Sequence, residues 1–270
     1  MANLDKYRVN PKKFSLKDYD PKDKTERTGN KDQNFVDLTK LATEINALQN
    51  ILHAEGKRKV LLVLQGMDAS GKDGTVRHVF KESDPLGIRL ASFKAPSSEE
   101  LAHDYLWRVH QQVPKAGELV IFNRSHYEDV LIVKVHNWID EAECKRSYAQ
   151  INDFERMLTE TGTTIIKCFL HISKEEQKKR MQERLDDPTK TWKFNPGDLK
   201  ERALWPQYMQ AYEQAIQATS TDHAPWHIIP ADSKTNRNLL ISRLLLTTLK
   251  SMKLTYPPVP AEYKAIEIEP

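Results

Sequence analysis

The sequence has few cysteines and no long apolar segment, and both absences limit the class of protein. Its 270 residues include two cysteines, Cys144 and Cys168, without the C-x-x-C spacing or the neighbouring His and Cys residues of a zinc site. A disulfide framework is therefore not expected, and a reducing compartment fits. The sequence contains no run of about 18 apolar residues, so no membrane span is predicted. The N-terminus has no apolar signal core. We expect a cytoplasmic protein without membrane contact.

The charges of the two signs nearly balance, so charge alone points to no polyanionic macromolecule. Lys and Arg number 41 against 38 Asp and Glu, which leaves a net charge of +3. This excess is too small to indicate nucleic-acid binding, and no nucleic-acid partner is expected. The hydrophobic content of 39% is sufficient for one sizeable core with an appended subdomain.

Short apolar segments alternate with segments of helical pattern along the chain. Strands are predicted at 59–65, 87–96, 117–125, 162–173 and 224–232. Helices are predicted at 35–56, 75–82, 97–114, 141–161, 174–185, 198–219 and 235–252. This alternation predicts an α/β fold in which a parallel five-stranded sheet is flanked by helices.

The ends of the chain and one internal segment fall outside this pattern. Residues 1–34 are predicted to form an extended arm, either packed against the core or a partner subunit or left solvated. Residues 35–256 form the α/β domain, with a helical lid at about 180–200 that includes the polar segment DDPTKTWKFNPGD. The Pro-rich residues 257–270 are predicted to be an irregular tail.

The segment VLLVLQGMDASGKDG has the strand–loop–helix pattern of a phosphate-binding P-loop. Backbone N–H groups of such a loop and the dipole of the following helix bind phosphate, and Lys72 adds a positive charge. The alternative is a glycine-rich turn that binds nothing. The predicted phosphate-binding residues are Gly66, Ala69, Ser70, Gly71, Lys72, Asp73 and Gly74, together with Lys193 from the lid.

Two acids in this loop depart from the usual P-loop pattern. Asp73 stands where a P-loop has Ser or Thr, whose hydroxyl ligates Mg²⁺. Asp68 lies within the loop, where a carboxylate repels a phosphate chain unless a cation lies between them. We interpret Asp68 as a metal ligand or as a proton acceptor for the attacking phosphate. Asp73 is interpreted as solvated or as capping the helix.

A second group of polar residues follows the predicted third strand in VIFNRSHYEDVL. Ligands of open parallel sheets bind beyond the carboxyl ends of the strands, where the P-loop also lies. Arg124 is suited to bidentate phosphate binding, and Glu128 or Asp129 is a candidate to hold Mg²⁺. The alternative for the two acids is an ordinary salt bridge on a helix surface. His126 and Tyr127 are interpreted as packing residues.

The third group is basic and lies in KKRMQERLDDPTKTWKF. Arg180 and Arg184 are four residues apart and share one helix face, and Lys190 and Lys193 follow. A lid that delivers such side chains neutralises the charge of a transferring phosphoryl group. Because acids are interspersed, a solvated charged helix is the alternative.

The chain resembles the polyphosphate kinase 2 family. The resemblance spans about residues 35–256 and rests on five segments, GMDASGKDGTV, DYLWRVHQQVP, GELVIFNRSHYEDVL, FLHISKEEQKKRMQERLDDPTKTWKF and APWHIIPAD. NRSHYEDVL looks most like the single-domain class III type, which accepts both nucleoside monophosphates and diphosphates. In this family the P-loop carries an Asp and ends in a sequence like GKDG.

The resemblance implies a P-loop kinase fold similar to thymidylate kinase and a phosphotransferase acting between inorganic polyphosphate and AMP, ADP or ATP. It also implies Mg²⁺, or Mn²⁺ in its place, and a homo-oligomer, either a dimer or a tetramer. By position, Asp68, Lys72 and Arg124 take essential roles, and Asp68 and Asp129 hold the metal. Glu128 matches an acid of the monophosphate-accepting classes, and the lid arginines are Arg180 and Arg184.

Two other functions compete with this one. An ordinary ATP-dependent nucleotide or small-molecule kinase would share the fold and the loop, but would more naturally have Ser or Thr at position 73. A polyphosphate-binding module would bind the polymer without turnover. Neither base preference nor the direction of net transfer follows from the sequence.

Overall fold

The fold is built on five parallel strands. A computed structural model describes residues 4–268. The strands are β1 (Lys59–Gln65), β2 (Ile88–Ser92), β3 (Leu119–Asn123), β4 (Thr163–His171) and β5 (Trp226–Pro230). They form one sheet in the order β2-β3-β1-β4-β5, and every pairing between them is parallel. The central strands are mostly apolar because both faces of the sheet are covered, and the buried Lys167 in the middle of β4 is an exception.

Helices surround this sheet, and six of them form two groups that contact it. The helices are α1 (Lys31–Glu55), α2 (Lys72–Val79), α3 (Ser98–Leu101), α4 (Trp107–His110), α5 (Glu128–Val135), α6 (Glu141–Glu160), α7 (Lys174–Asp186), α8 (Gly197–Ala203), α9 (Trp205–Thr219) and α10 (Lys234–Ser251). Helices α1, α2 and α10 pack together, as do α5, α6 and α9, and both groups contact the sheet. The predicted parallel sheet flanked by helices is confirmed. No helix within residues 4–268 is both long and apolar enough to cross a bilayer.

The structure corrects several predicted helices. The predicted helix 97–114 consists of α3 and α4, separated where Asp104 accepts a hydrogen bond from the N–H of Leu106. The predicted helix 198–219 is broken at Leu204, between α8 and α9, because Pro206 in the first turn of α9 has no N–H with which to continue α8. Helix α5 was not predicted, because its run EDVLIVKV is apolar on most sides and lacks a helical period. The predicted helix 75–82 lies at Lys72–Val79.

The N-terminal residues follow the surface of the domain in short 3₁₀ turns. Tyr7, Val9, Phe14 and Leu16 are buried in the core, and the N–H of Val9 donates to the carbonyl of Trp226 over 2.9 Å. The arm therefore packs on its own subunit. It ends earlier than predicted, because helix α1 begins at Lys31 after the Asn30 cap rather than at residue 35. In the C-terminal tail, Ala261–Ala265 form a 3₁₀ turn.

Candidate active site

The candidate site lies at the carboxyl ends of the strands, where the order of the sheet reverses around β1. Leu64 pairs with Asn123 in the β1–β3 register, so both strands end at the same level and their loops meet. A cavity of about 740 Å³ opens there. Of the predicted site residues, its walls include Asp68, Ala69, Gly71, Lys72, Asp73, Gly74, Arg124, Arg180, Arg184, Lys190 and Lys193. The walls do not include Gly66, Ser70, Glu128 or Asp129 among the residues described.

The loop between β1 and α2 has the backbone of an anion-binding turn. Gly66 and Gly71 have φ values of 148° and 107°, and Ala69 is also left-handed at 62°. At Gly66 a Cβ atom would lie 2.8 Å from the carbonyl oxygen of Leu170, so β4 excludes any side chain there. The loop ends at the N-terminus of α2, where the helix dipole favours negative charge.

Lys72 turns back into the loop that precedes it. Its Nζ donates to the carbonyl of Gly66 over 2.6 Å, and the side chain is 8% exposed. Burial lowers the pKa of Lys72 from its ordinary value, although Asp68 opposes the shift. Neutral carbonyls hold the ammonium in this state, so its charge is available to an anion that enters the loop.

Each acid of the loop has a partner from the β3 end. Arg124 donates from Nη2 to Asp68 Oδ1 over 2.9 Å, and Asn123 donates from Nδ2 to Asp73 Oδ1 over 2.7 Å. Asp73 also lies in the first turn of α2, where the helix dipole stabilises a carboxylate. A cation, an amide dipole and a helix N-terminus therefore stabilise the two carboxylates, so their presence is compatible with anion binding in the loop.

Arg124 occupies a strained backbone position. Its φ is 63°, a conformation that costs a non-glycine residue about 1–2 kcal/mol. The N–H of Arg124 donates to the carbonyl of Leu64 over 3.1 Å, which ties the β3 loop to the end of β1. Burial works to lower the pKa of Arg124, but Glu128 and Asp68 raise it above its ordinary value.

Glu128 and Asp129 open helix α5, outside the walls of the main cavity. Burial raises the pKa of Glu128 despite the opposing effect of Arg124. Asp129 faces Arg108 of α4, with 3.7 Å between Oδ2 and Nη2, and burial raises its pKa to about 6. Tyr127, which precedes both acids, and His126 are fully buried, as expected for packing residues.

The two lid arginines differ in their surroundings. Arg180 is 5% exposed and donates to the carbonyls of Ala69 and Ser70 over 3.0 Å, so it is bound to the P-loop. Arg184 is more exposed and contacts the Lys193 carbonyl at 3.3 Å and Asp198 at 3.7 Å. Arg180 thus belongs to the packed wall of the site, and Arg184 borders the exposed segment that follows α7.

Other residues of this cavity were not among the predicted site residues. Arg237, Asn238 and Lys234 from α10 line it, as do Trp192 and Asp198 from the lid region. A signal for the α10 residues was present: KTNRN places consecutive polar residues at the start of a helix that follows the last strand. Since that strand ends at the same edge of the sheet, such residues face the site.

The protein provides candidate carboxylate ligands for a divalent metal but no complete set of ligands. Within residues 4–268, no three or more His, Cys, Asp or Glu side chains cluster as a metal cage. Asp129 Oδ2 is buried without a hydrogen-bond donor, and Asp68 lines the cavity. Mg²⁺ is usually held by one or two carboxylates, water and substrate phosphates rather than by a protein cage. The two aspartates fit that pattern.

Comparison with known proteins agrees with this geometry. Residues 28–257 match the family model for Polyphosphate kinase 2. The chain is 53% identical to the AMP/ADP-polyphosphate phosphotransferase of Meiothermus ruber, over 98% of this chain and 100% of that protein. It is 42% identical to the ADP-polyphosphate phosphotransferase of Rhodopseudomonas palustris, over 87% of this chain and 86% of that one.

A solved structure supports the same relationship. The crystal structure of Polyphosphate Kinase 2 from Arthrobacter aurescens TC1 superposes with a TM-score of 0.92 at 48% identity. The superposition covers 96% of this chain and 94% of that one. Kinases of this type generally depend on a divalent metal. With a family match over most of its length and relatives matched over nearly their whole chains, this protein belongs to the polyphosphate kinase 2 family.

Proposed function

We propose that this chain is a phosphotransferase that moves phosphoryl groups between inorganic polyphosphate and nucleotides, converting AMP to ADP and ADP to ATP. One observation carries the proposal: Lys and Arg side chains line the P-loop cavity, where Arg124 forms an ion pair with Asp68 and Asn123 donates a hydrogen bond to Asp73. The Meiothermus ruber relative is named for both AMP and ADP, which supports both nucleotides as acceptors here.

The proposed chemistry is in-line transfer, in which positioning and charge do most of the work. The P-loop N–H groups and Lys72 hold the terminal phosphates of one substrate. Arg124 and Arg184 lie on the walls of the same cavity, where they would stabilise charge on the transferring group. Arg180 would act through the loop, whose carbonyls it holds. Glu128 raises the pKa of Arg124, and by its position it would serve the nucleoside monophosphate acceptor.

We propose Mg²⁺, with Mn²⁺ as a substitute, as the metal. Asp68 and Asp129 would hold it, and it would supply charge neutralisation between the two phosphate groups. The fit rests on the buried Oδ2 of Asp129, which accepts no hydrogen bond in the described part of the chain and lies 3.7 Å from Arg108 Nη2.

Assembly and location are also proposals. We propose a homo-oligomer, a dimer or a tetramer, which exposed apolar side chains such as Phe35 and Leu86 support. Sedimentation analysis would measure it. Both free cysteines are buried, which is compatible with the proposed cytoplasmic location.

The test is turnover without ATP. Purified protein would be incubated with polyphosphate, Mg²⁺ and AMP, and the nucleotides would be followed by chromatography. We expect ADP and then ATP. ATP from added ADP but no product from AMP would restrict the acceptor to diphosphates. Product formed only when ATP is the donor would favour an ordinary kinase, and polymer binding without product would favour a binding module.

The variant Lys72→Ala tests the role of the loop lysine in turnover. Removing the ammonium from the loop should lower turnover by orders of magnitude, while the fold, measured by circular dichroism, stays intact. Lys250→Ala is the control, because Lys250 lies near the far end of α10 and pairs with Glu44 on the surface. Near-normal turnover of Lys72→Ala would refute the assignment.

A further inference from the structure

Arg237 is a buried arginine behind the P-loop. It lies in the first turns of α10 and is 2% exposed. Its Nη1 donates to the carbonyl of Ser70 over 3.1 Å, and its Nε and Nη2 donate to Asn238 Oδ1 over 3.2 and 3.0 Å. The Ser70 carbonyl also accepts from Arg180 over 3.0 Å. Two guanidinium groups therefore meet at one carbonyl oxygen of the phosphate-binding loop.

Arg237 differs from two nearby arginines because it has no counter-charge. Arg180 is paired with Glu176 over 2.8 Å, and Arg243, two turns further along α10, is paired with Glu26 over 2.6 Å. Within residues 4–268, no carboxylate lies within salt-bridge distance of the Arg237 guanidinium, and its hydrogen-bond acceptors are neutral. Burial and the nearby Arg180 lower the pKa of Arg237 to about 9.

The P-loop is shaped around this guanidinium. A Cβ atom at Gly71 would lie 1.9 Å from Arg237 Nη1, and φ is 107° there, so glycine suits both the turn and the position of the guanidinium. Arg237 also lines the cavity, on the same wall as Lys234. An uncompensated buried charge is costly to a protein, and here it stands against the loop that binds the most highly charged ligand of the proposed reaction.

We propose that Arg237 is a positioning residue for the phosphate chain: it fixes the Ser70 carbonyl behind the P-loop, and the bound chain supplies the counter-charge that the protein lacks. The inference rests on the proposed function for the identity of that chain. It means that ligand binding relieves an unfavourable charge in the free protein. Helix α10 would thereby help to fix the backbone conformation of the P-loop, although it begins at Lys234, far from that loop in sequence.

Unfolding measurements test the charge directly. Thermal unfolding would be followed with and without sodium tripolyphosphate for the wild type, Arg237→Met and Arg243→Met. Without ligand, Arg237→Met should unfold at or above the wild-type temperature, because an uncompensated charge is removed. Arg243→Met should unfold at a lower temperature, because it leaves the buried Glu26 without a counter-charge and with the Tyr7 hydroxyl as its remaining donor. Tripolyphosphate should raise the unfolding temperature of Arg237→Met by less than half as much as that of the other two proteins.

Steady-state kinetics distinguish the effect of the Arg237 charge from the effect of its planar hydrogen-bonding geometry. Arg237→Met should raise the KM for polyphosphate at least about tenfold, the loss of one charge-assisted contact, while the KM for the nucleotide stays near normal. Arg237→Lys keeps the charge but cannot reproduce the planar fork that spans Ser70 and Asn238. It should therefore keep the KM for polyphosphate within about threefold and mainly lower kcat, since the loop is held less well.

The outcomes are separable. A wild-type KM for polyphosphate and an undiminished tripolyphosphate shift in Arg237→Met would overturn the inference. A loss of stability in ligand-free Arg237→Met equal to that of Arg243→Met would overturn it too. If Arg237→Met does not fold, Arg237→Lys provides the test instead. A wild-type kcat in Arg237→Lys would overturn the inference. Because the thermal shift needs no turnover, an Arg237-dependent shift in a protein that transfers nothing from polyphosphate would sustain the inference and refute the proposed function instead.

Discussion

Replacing Lys167 by methionine should strongly destabilise the protein. Lys167 lies in the middle of β4 and is fully buried. Its Nζ donates to Glu155 Oε2 over 2.5 Å, to the Tyr127 hydroxyl over 2.8 Å and to the Thr219 carbonyl over 2.8 Å. This cluster joins β4 to α6, α9 and the residue that precedes α5.

The size of the destabilisation follows from the buried Glu155 carboxylate that loses its counter-charge. Glu155 is 1% exposed and would keep only Tyr127 and His126 as hydrogen-bond partners. Removing one partner of a buried ion pair costs about 3–5 kcal/mol. At roughly 2–4 °C per kcal/mol for a chain of this size, the unfolding temperature should fall by roughly 6–20 °C. The double variant Lys167→Met, Glu155→Gln should recover more than half of the loss, because Gln removes the charge and keeps an acceptor for the Tyr127 hydroxyl.

The loss of stability in Lys167→Met should become smaller as pH falls. In the wild type, burial works against the charge of Glu155, but Lys167 holds the pKa of this carboxyl below its ordinary value of about 4.3. That contribution to stability is present above the unfolded pKa and is lost as pH falls through the folded pKa. Without Lys167, burial raises the pKa of Glu155 above its unfolded value, so the folded variant binds the proton more tightly. The stability gap between the two proteins should therefore be widest at neutral pH and narrow as pH falls toward 4.

Guanidinium unfolding followed by tryptophan fluorescence measures this gap, because the Trp226 ring lies 5.2 Å from the Lys167 ammonium. Glu155→Gln alone completes the double-mutant cycle. A loss below about 1 kcal/mol in Lys167→Met, or a double variant no more stable than it, would show that the ion pair is not what holds these elements together.

Three further predictions concern the site itself. Gly66→Ala should abolish turnover and lower the unfolding temperature, because its Cβ would meet the Leu170 carbonyl at 2.8 Å; activity and calorimetry check this. Arg124→Gly and Arg124→Ala should both lose activity, but the Gly variant should be about 1 kcal/mol more stable in urea, since φ is 63° there. Mg²⁺ affinity measured by calorimetry should fall as pH drops through about 6, where Asp129 takes up a proton, and Asp129→Asn should remove that dependence.

The sequence predicted the strands and the P-loop well because both are local patterns. A buried parallel strand is a short apolar run, and β1 lies where KVLLVLQ predicts it, at Lys59–Gln65. The loop that follows has glycines at 66 and 71, and the backbone there adopts positive φ. Helix boundaries were less predictable. Pro206 and the Asp104 side chain interrupt helices that an apolar period alone would extend.

The sequence by itself therefore determined the α/β pattern, the glycine-rich loop after β1 and the family, since each depends on residues close together along the chain. The tertiary structure decided how the charges are partnered. It paired Asp68 with Arg124 and Asp73 with Asn123 across β1 and β3, buried Lys167 beside Glu155, and set Arg237 without a counter-charge behind Gly71. Charge interactions depend on distance in space and on burial, and neither quantity is carried by spacing along the sequence.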